Sequence, residues 1–125
     1  MTDRELLENA ANAAGLNVDI HENWTPGELP YFHLVDERGR LWNPITDDGD
    51  ALRLAVKLGL HITQYPIYEE PKHSAIAKKS ARLLDDTCVD MCVGIEVYGS
   101  DPYAATRRAI TRAAAEIGRQ KEEQS

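Results

Sequence analysis

The apolar positions of the chain follow helical spacing in some stretches and strand spacing in others, and this pattern predicts most of its elements. Helical spacing predicts a first helix over 2–15, which begins with a capping box formed by Thr2 and Glu5. It also predicts a helix over 47–59 and a last helix over 101–118, each with an aspartate at its start and a glycine at its end.

The helix predicted over 47–59 is apolar around most of its circumference. Its polar strip consists of Asp50, Arg53 and Lys57. Since a helix of this kind is buried on most sides, we expect it to lie against a sheet. Residues 74–86 carry a weaker helical stripe and predict one further helix.

Alternation of polar and apolar residues predicts strands over 17–22, 31–35, 40–42, 61–68 and 87–98. Asp36 and Gly39 flank a turn that joins two of these strands into a hairpin. The last predicted strand is the longest, and one of its faces carries Val89, Met91, Val93, Ile95 and Val97. This order of elements predicts the α+β class, as a three-layer α/β/α sandwich with a central, mainly antiparallel sheet of about four to five strands.

The length of 125 residues suits one domain, which we assign to 1–118, followed by a polar tail at 119–125. The chain has no apolar run of the roughly 20 residues that span a bilayer. Its first residues lack the basic and apolar regions of a signal peptide. We therefore expect a cytoplasmic protein that does not associate with membranes.

The formal net charge is −7, and it is unevenly distributed. Residues 1–50 hold eleven acidic and three basic side chains, which gives −8, whereas residues 51–125 hold ten acidic and eleven basic ones, which gives +1. Strong direct binding to duplex DNA is not expected, because it normally needs a basic surplus. An acidic surface keeps a protein in solution, or it attracts the basic surface of a partner.

The sequence contains no motif typical of a catalytic or metal site. Its four histidines do not fall at the spacing His-Glu-x-x-His, and Cys88 and Cys92 have no second cysteine pair with which to form a zinc site. The acidic cluster at 47–50 resembles the start of a calcium loop, but the position of the required glutamate is Leu58. We interpret the cluster as a helix cap, and the sequence favours a non-enzymatic protein without a metal or cofactor.

Three groups of residues are candidates for binding. Basic residues occur on the outer side of the last helix and before the longest strand, namely Arg107, Arg108, Arg112, Lys78, Lys79 and Arg82. They would bind an anion or a nucleic acid; in the alternative interpretation they are solvated, and Arg112 pairs with Glu116. Asp36 and Glu37 lie at the hairpin turn. Trp24 lies in a loop rich in proline and glycine, where it either covers the edge of the core or anchors a partner.

Two segments carry a resemblance to a known family. Residues 42–60 (WNPITDDGDALRLAVKLGL) and 101–118 (DPYAATRRAITRAAAEIG) resemble small phage and prophage proteins of the phage ABA-sandwich family. The likeness covers most of the chain, including 2–16, while 69–86 fits it least and is expected to be an insertion. The resemblance implies a phage or prophage origin and the three-layer fold. It implies no activity and no catalytic residues.

Together these observations predict a non-enzymatic, phage-encoded accessory protein that acts by binding a host protein in the bacterial cytoplasm. Its target would be a bacterial defence complex, as for an anti-CRISPR protein, or a complex that handles nucleic acid. The alternative is a module that binds a small ligand or a nucleotide through the basic last helix. Self-association into a homo-oligomer is a third option.

Overall fold

The computed structural model describes residues 2–23, 31–65, 74–82, 88–97 and 101–123. Within these ranges the chain forms three helices and six strands. Their order is α1 (Asp3–Ala14), β1 (Asp19–Asn23), β2 (Tyr31–Val35), β3 (Leu41–Trp42), α2 (Asp48–Leu58), β4 (His61–Tyr65), β5 (Ser74–Arg82), β6 (Cys88–Val97) and α3 (Pro102–Glu123). No helix in these ranges combines the length and the apolar content needed to cross a membrane.

The described strands form two antiparallel sheets of three strands each, in the orders β1-β2-β3 and β4-β5-β6. The α+β class predicted from the sequence is confirmed. The single central sheet of a three-layer sandwich is not confirmed, because no described strand of the first sheet pairs with one of the second.

The helix starts agree with the sequence, because each is fixed by a nearby side chain. The Thr2 hydroxyl accepts a hydrogen bond from the Glu5 N–H at 3.2 Å, and the Glu5 carboxylate accepts one from the Thr2 N–H at 3.0 Å. Asp47 caps α2 by accepting the Asp50 N–H at 2.8 Å. Asp101 caps α3 by accepting two backbone N–H groups, and glycines in the left-handed conformation end α1 and α2.

The end of the last helix differs from the sequence prediction. Gly118 does not end α3, which continues to Glu123 through most of the predicted polar tail. Arg119 forms ion pairs with Glu116 and Glu123 along this extension, and Lys121 Nζ donates to the Asn12 carbonyl at 3.2 Å. The glycine has a packing role instead, because α1 lies against it.

Helix α3 is the centre of the molecule and packs against α1, α2, β5 and β6. Its buried residues are mostly small, namely Ala105, Ala109, Ile110, Thr111, Ala113, Ala114, Ala115 and Gly118. Small side chains allow neighbouring backbones to approach closely. A methyl group added at Gly118 would lie 1.9 Å from the Asn9 carbonyl oxygen of α1. One added at Gly94 of β6 would lie 2.1 Å from the Ala109 carbonyl oxygen of α3.

The helix predicted over 74–86 is wrong. Residues 74–82 form β5, the middle strand of the second sheet, in which Thr63 of β4, Ile76 and Ile95 of β6 lie side by side. Ala75 and Ala77 are fully buried, so the alanines alternate in a strand pattern beneath α3. Alanine and lysine favour helices locally, but pairing with strands on both sides overrides that preference. β5 also lies within the segment that fits the family resemblance least.

The strand predicted over 87–98 is confirmed as β6, the longest of the described strands, but the faces assigned to it are wrong. Ile95 is 56% exposed, whereas its neighbour Gly94 is buried against α3. The register shows a second difference: Lys79 pairs with Cys92 while Ser80 pairs with Asp90, so a bulge at residue 91 puts Val89 and Val93 at positions on opposite faces of β6. A bulge interrupts the alternation on which the prediction depended.

The expectation that α2 is buried on most sides is also wrong. α2 packs against α3 and α1 rather than across a sheet, and it buries only one side. Leu52 and Val56, on the opposite side, are 62% and 72% exposed. An exposed apolar pair one turn apart therefore lies on the surface of this helix.

Candidate functional site

A cleft of about 1120 Å³ lies between the end of α1, the turn that joins β2 to β3, and α2. Its lining consists of Ala14, Leu16, Asn17, Asp36, Glu37, Arg38, Arg40, Leu41, Trp42, Asn43, Thr46, Asp47, Asp50, Arg53, Leu54 and Lys57. Trp42 and Leu54 are buried, whereas Leu41 is 67% exposed. The cleft therefore has an apolar base and a charged rim, and it contains two of the predicted binding residues, Asp36 and Glu37.

The turn on one side of the cleft is held by Asp36. One oxygen of its carboxylate accepts the backbone N–H groups of Arg38 and Arg40, each at 2.9 Å. The Asp36 N–H donates to the Arg40 carbonyl at 2.9 Å, and Gly39 takes a positive φ of 79° that lets the chain reverse. These bonds fix the backbone from which both arginine side chains project.

The same contacts stabilise the charged form of Asp36. The Arg40 N–H makes the largest contribution, and the Arg38 N–H and the two guanidinium charges add to it, so the pKa of Asp36 is lowered although desolvation opposes the shift. A lowered folded-state pKa means that the carboxylate stabilises the turn above the ordinary value of 3.8. That contribution disappears as the pH falls through the folded-state pKa.

We expect NMR titration of the Asp36 side-chain carboxyl to give a midpoint below 3.8. Hydrogen exchange at the Arg38 and Arg40 amides should accelerate through the same pH range, because their acceptor loses its charge. In Asp36→Asn, whose amide oxygen still accepts but does not ionise, this acceleration should be absent. A midpoint at or above 3.8 would contradict the role given to these hydrogen bonds.

On the opposite side of the cleft, Asp50 joins α2 to the chain that precedes it. This buried carboxylate accepts the Asn43 N–H at 3.0 Å and pairs with Arg53 Nη2 at 2.7 Å. Arg53 also lies 3.9 Å from Asp47. The acidic cluster at 47–50 thus contains the helix cap Asp47, as the helix-cap interpretation predicts, and the buried Asp50, which pairs with the exposed Arg53.

Every carboxylate of the cleft has a partner within the molecule. Asp36, Asp47 and Asp50 are engaged as described above, and Glu37 accepts a hydrogen bond from Asn17 Nδ2 at 2.9 Å. The cations differ. Arg53 is paired, but the side chains of Arg38, Arg40 and Lys57 form no hydrogen bond or ion pair within the described ranges. Within the described residues, the rim of the cleft therefore carries three cationic groups whose side chains donate no hydrogen bond to a carboxylate, although the charges of Arg38 and Arg40 act on Asp36.

The three arginines predicted for binding on the last helix have internal partners. Arg107 donates to the Ile45 carbonyl at 2.8 Å and to Asp48 at 2.6 Å. Arg108 makes two bonds to Asp3, at 2.8 and 2.9 Å. These arginines connect α3 to the starts of α2 and α1.

Arg112 connects α3 to the second sheet by pairing with Glu96 of β6. Its predicted pairing with Glu116 is wrong, because Glu116 bonds Arg119 instead. Helical spacing identifies only neighbours three or four residues away on the same helix, so it cannot reveal a partner of Arg112 that lies on a strand.

The second basic group does not join the cleft either. Lys79 Nζ donates to the Leu58 carbonyl at 2.9 Å and so satisfies the end of α2, while Lys78 is half-buried and lies beside His61 in the sheet register. Arg82 is the last residue of β5. The prediction for Trp24 falls outside the described residues.

Sequence reasoning missed Arg38, Arg40 and Lys57 as candidates. The available signal was that two arginines flank the turn glycine Gly39, while Lys57 belongs to the polar strip of α2. Only the fold shows that the turn and the strip line the same cleft. Among the residues that the structure describes, no three His, Cys, Asp or Glu side chains come close enough together to hold a metal ion.

No protein-family model, curated protein or solved structure matches this chain. The resemblance to the phage ABA-sandwich family stays a prediction from the sequence segments that carry it.

Proposed function

We propose that this protein is a non-enzymatic, phage-encoded accessory protein that acts by binding a host protein, and that the host protein binds at the cleft. The observation that carries the proposal is the combination of an exposed Leu41 with cationic side chains that donate no hydrogen bond within the described residues, around one open cavity. Exposed apolar surface beside arginine is typical of protein interfaces.

The open shape of the cleft favours a polypeptide over a small molecule. Small-molecule sites usually enclose most of their ligand. This cleft of about 1120 Å³ does not enclose its contents, because its rim residue Leu41 is mostly exposed. A segment of another protein would fill it and cover that leucine.

Helix α2 extends the proposed surface beyond the cleft. Leu52 and Val56 are exposed next to Arg53 and Lys57, which line the cavity. A partner that extends from the cleft across Arg53 would cover this apolar pair, which does not itself line the cleft. The result would be an interface with an apolar centre and a polar rim.

The alternative function, a ligand or nucleotide site on the last helix, has less support. A ligand there would have to replace the ion pairs that Arg107, Arg108 and Arg112 already make. The three-layer fold is supported by the sequence resemblance, whereas a target in a defence or nucleic-acid-handling complex rests on analogy with other small phage proteins.

The proposal is tested by affinity purification of the tagged protein from the bacterial host. Leu41→Ser is the cleft variant, and Ile95→Ser is its matched control, because Ile95 is a similarly exposed apolar strand residue on the second sheet. We expect a host protein that copurifies with the wild-type protein and with Ile95→Ser, and that falls about tenfold in Leu41→Ser.

Two results would contradict the proposal. One is that no host protein copurifies with the folded wild-type protein at any salt concentration. The other is that the same host protein copurifies equally well with both serine variants. Circular dichroism and thermal unfolding of each variant would show that a loss of binding is not a loss of folding.

A further inference from the structure

We infer that the part of the partner held in the cleft is an acidic, extended segment, whose carboxylates bind Arg38, Arg40 and Lys57. This inference deepens the proposed function and rests on it. It concerns the chemistry of the occupant, which neither the composition of the chain nor its acidic net charge indicates.

The carboxylates of the cleft have bonding partners within the molecule, whereas three of its basic side chains do not donate to any among the residues that the structure describes. Its lining contains four acidic and four basic side chains, so its formal charge is zero, on a chain whose formal charge is −7. The carboxylates are engaged by backbone N–H groups, by Asn17 and by Arg53. The guanidinium groups of Arg38 and Arg40 and the ammonium group of Lys57 therefore keep their hydrogen-bond donors for a ligand.

Several arginines elsewhere in the molecule differ from Arg38 and Arg40 because they bond carboxylates. The arginines of α3 each have a carboxylate partner, three of them on other elements. Even the exposed Arg4 pairs with Glu8. In an acidic protein most arginines lie within bonding distance of a carboxylate. Cationic groups that bond no carboxylate of the described residues along the rim of the cleft therefore indicate a site for the carboxylates of a partner.

The turn between β2 and β3 presents two arginines from a backbone that is held by hydrogen bonds. Arg38 and Arg40 project from a backbone that Asp36 holds through two hydrogen bonds, so little backbone order has to be gained on binding. Guanidinium groups bind carboxylates through paired hydrogen bonds, which adds orientation to attraction. Lys57 lies on α2 and approaches the occupant from the other side of the cleft.

The edge of β3 favours an extended conformation for the segment that occupies the cleft. β3 is an edge strand of the first sheet and lines the cleft. The Arg40 carbonyl accepts from Asp36, so the next residue, Leu41, directs its own N–H and carbonyl away from β2. The Asn43 N–H, two residues further on, points the same way and reaches Asp50. An extended segment beside β3 would pair with Leu41 and place alternate side chains toward the arginines.

Fluorescence anisotropy with a labelled octapeptide of alternating glutamate and threonine tests this inference. Arg38→Gln/Arg40→Gln is the cleft variant, and Arg4→Glu is its control. The double variant loses two positive charges, and the control loses one positive and gains one negative charge, so both change the formal net charge from −7 by −2. We expect saturable binding to the wild-type protein and to Arg4→Glu, and about tenfold weaker binding to the double variant.

Three outcomes would overturn the inference. Equal weakening by Arg4→Glu would show that only net charge matters. Tighter binding of octathymidylate, or of the same peptide with lysine in place of glutamate, would identify a different occupant. The third is the absence of saturable peptide binding up to about 1 mM. If a host protein is still captured through Leu41 in that case, the proposed function survives without its acidic segment; if none is captured, both fail.

Discussion

Gly118→Ala is expected to lower the free energy of unfolding by about 3 kcal/mol and the melting temperature by about 10 °C. The added methyl would lie 1.9 Å from the Asn9 carbonyl oxygen and 2.8 Å from its carbon. Both are backbone atoms of α1, so α1 and α3 would have to move apart. Replacing glycine by alanine inside a helix normally gains about 1 kcal/mol, which is too little to offset such a displacement.

Urea denaturation of the variant measures this effect, and Gly49→Ala is its matched control. Gly49 also lies within a helix, but a methyl there meets only the side-chain ends of Arg53, at 3.1 Å, and Asp47, at 3.2 Å. These side-chain ends need to shift by only a few tenths of an ångström, which keeps the Asp47 cap and the Arg53–Asp50 pair in place, so the control should stay within about 1 kcal/mol of the wild-type protein. A Gly118→Ala variant of wild-type stability would show that the two helices do not pack this closely.

Gly94→Ala is expected to cost about 2–3 kcal/mol for the same kind of reason on the other side of α3. Its methyl would lie 2.1 Å from the Ala109 carbonyl oxygen and 2.7 Å from the Ala113 nitrogen. No side-chain rotation can relieve a contact between backbone atoms. The second sheet would therefore have to shift away from α3 and lose the packing of Ala75 and Ala77.

The neighbouring residue provides the control for this variant. Ile95→Ala removes more atoms than Gly94→Ala adds, but Ile95 is mostly exposed, so its replacement should cost less than about 1 kcal/mol. If Ile95→Ala proved the more harmful of the two, the assignment of the two faces of β6 would be wrong. Denaturation midpoints of the two variants, measured under identical conditions, decide the question.

Both glycine contacts hold α3 against α1 and the second sheet, whereas the cleft lies between α1, the β2–β3 turn and α2. Stability and binding should therefore respond to different substitutions. Gly94→Ala should reduce the folded fraction while leaving the affinity of the folded molecules unchanged, because its contact lies between β6 and α3, neither of which lines the cleft. The serine and glutamine variants at the cleft should lower the affinity for the partner while leaving the folded fraction unchanged.

The local parts of this structure are determined by the sequence. The caps at Thr2 and Asp101 were predicted, and the cap of α2 was narrowed to Asp47 or Asp48, because each cap acts on a residue no more than three positions away. The same holds for Gly15 and Gly59, whose left-handed conformation ends the helix immediately before them. Interactions of this range involve residues that are close in the sequence, so they do not depend on the rest of the fold.

The tertiary structure decided every feature that depends on distant residues. Ser74–Arg82 became a strand because strands pair with it on both sides, and Gly118 lies inside a helix because α1 packs there. Arg108 found its carboxylate 105 residues away, at Asp3. The same folding brought Lys57 to the cleft that Arg38 and Arg40 line, where none of the three side chains donates a hydrogen bond to a carboxylate of the described residues. A sequence shows which charges a chain carries, but only its packing determines which of them are neutralised from within.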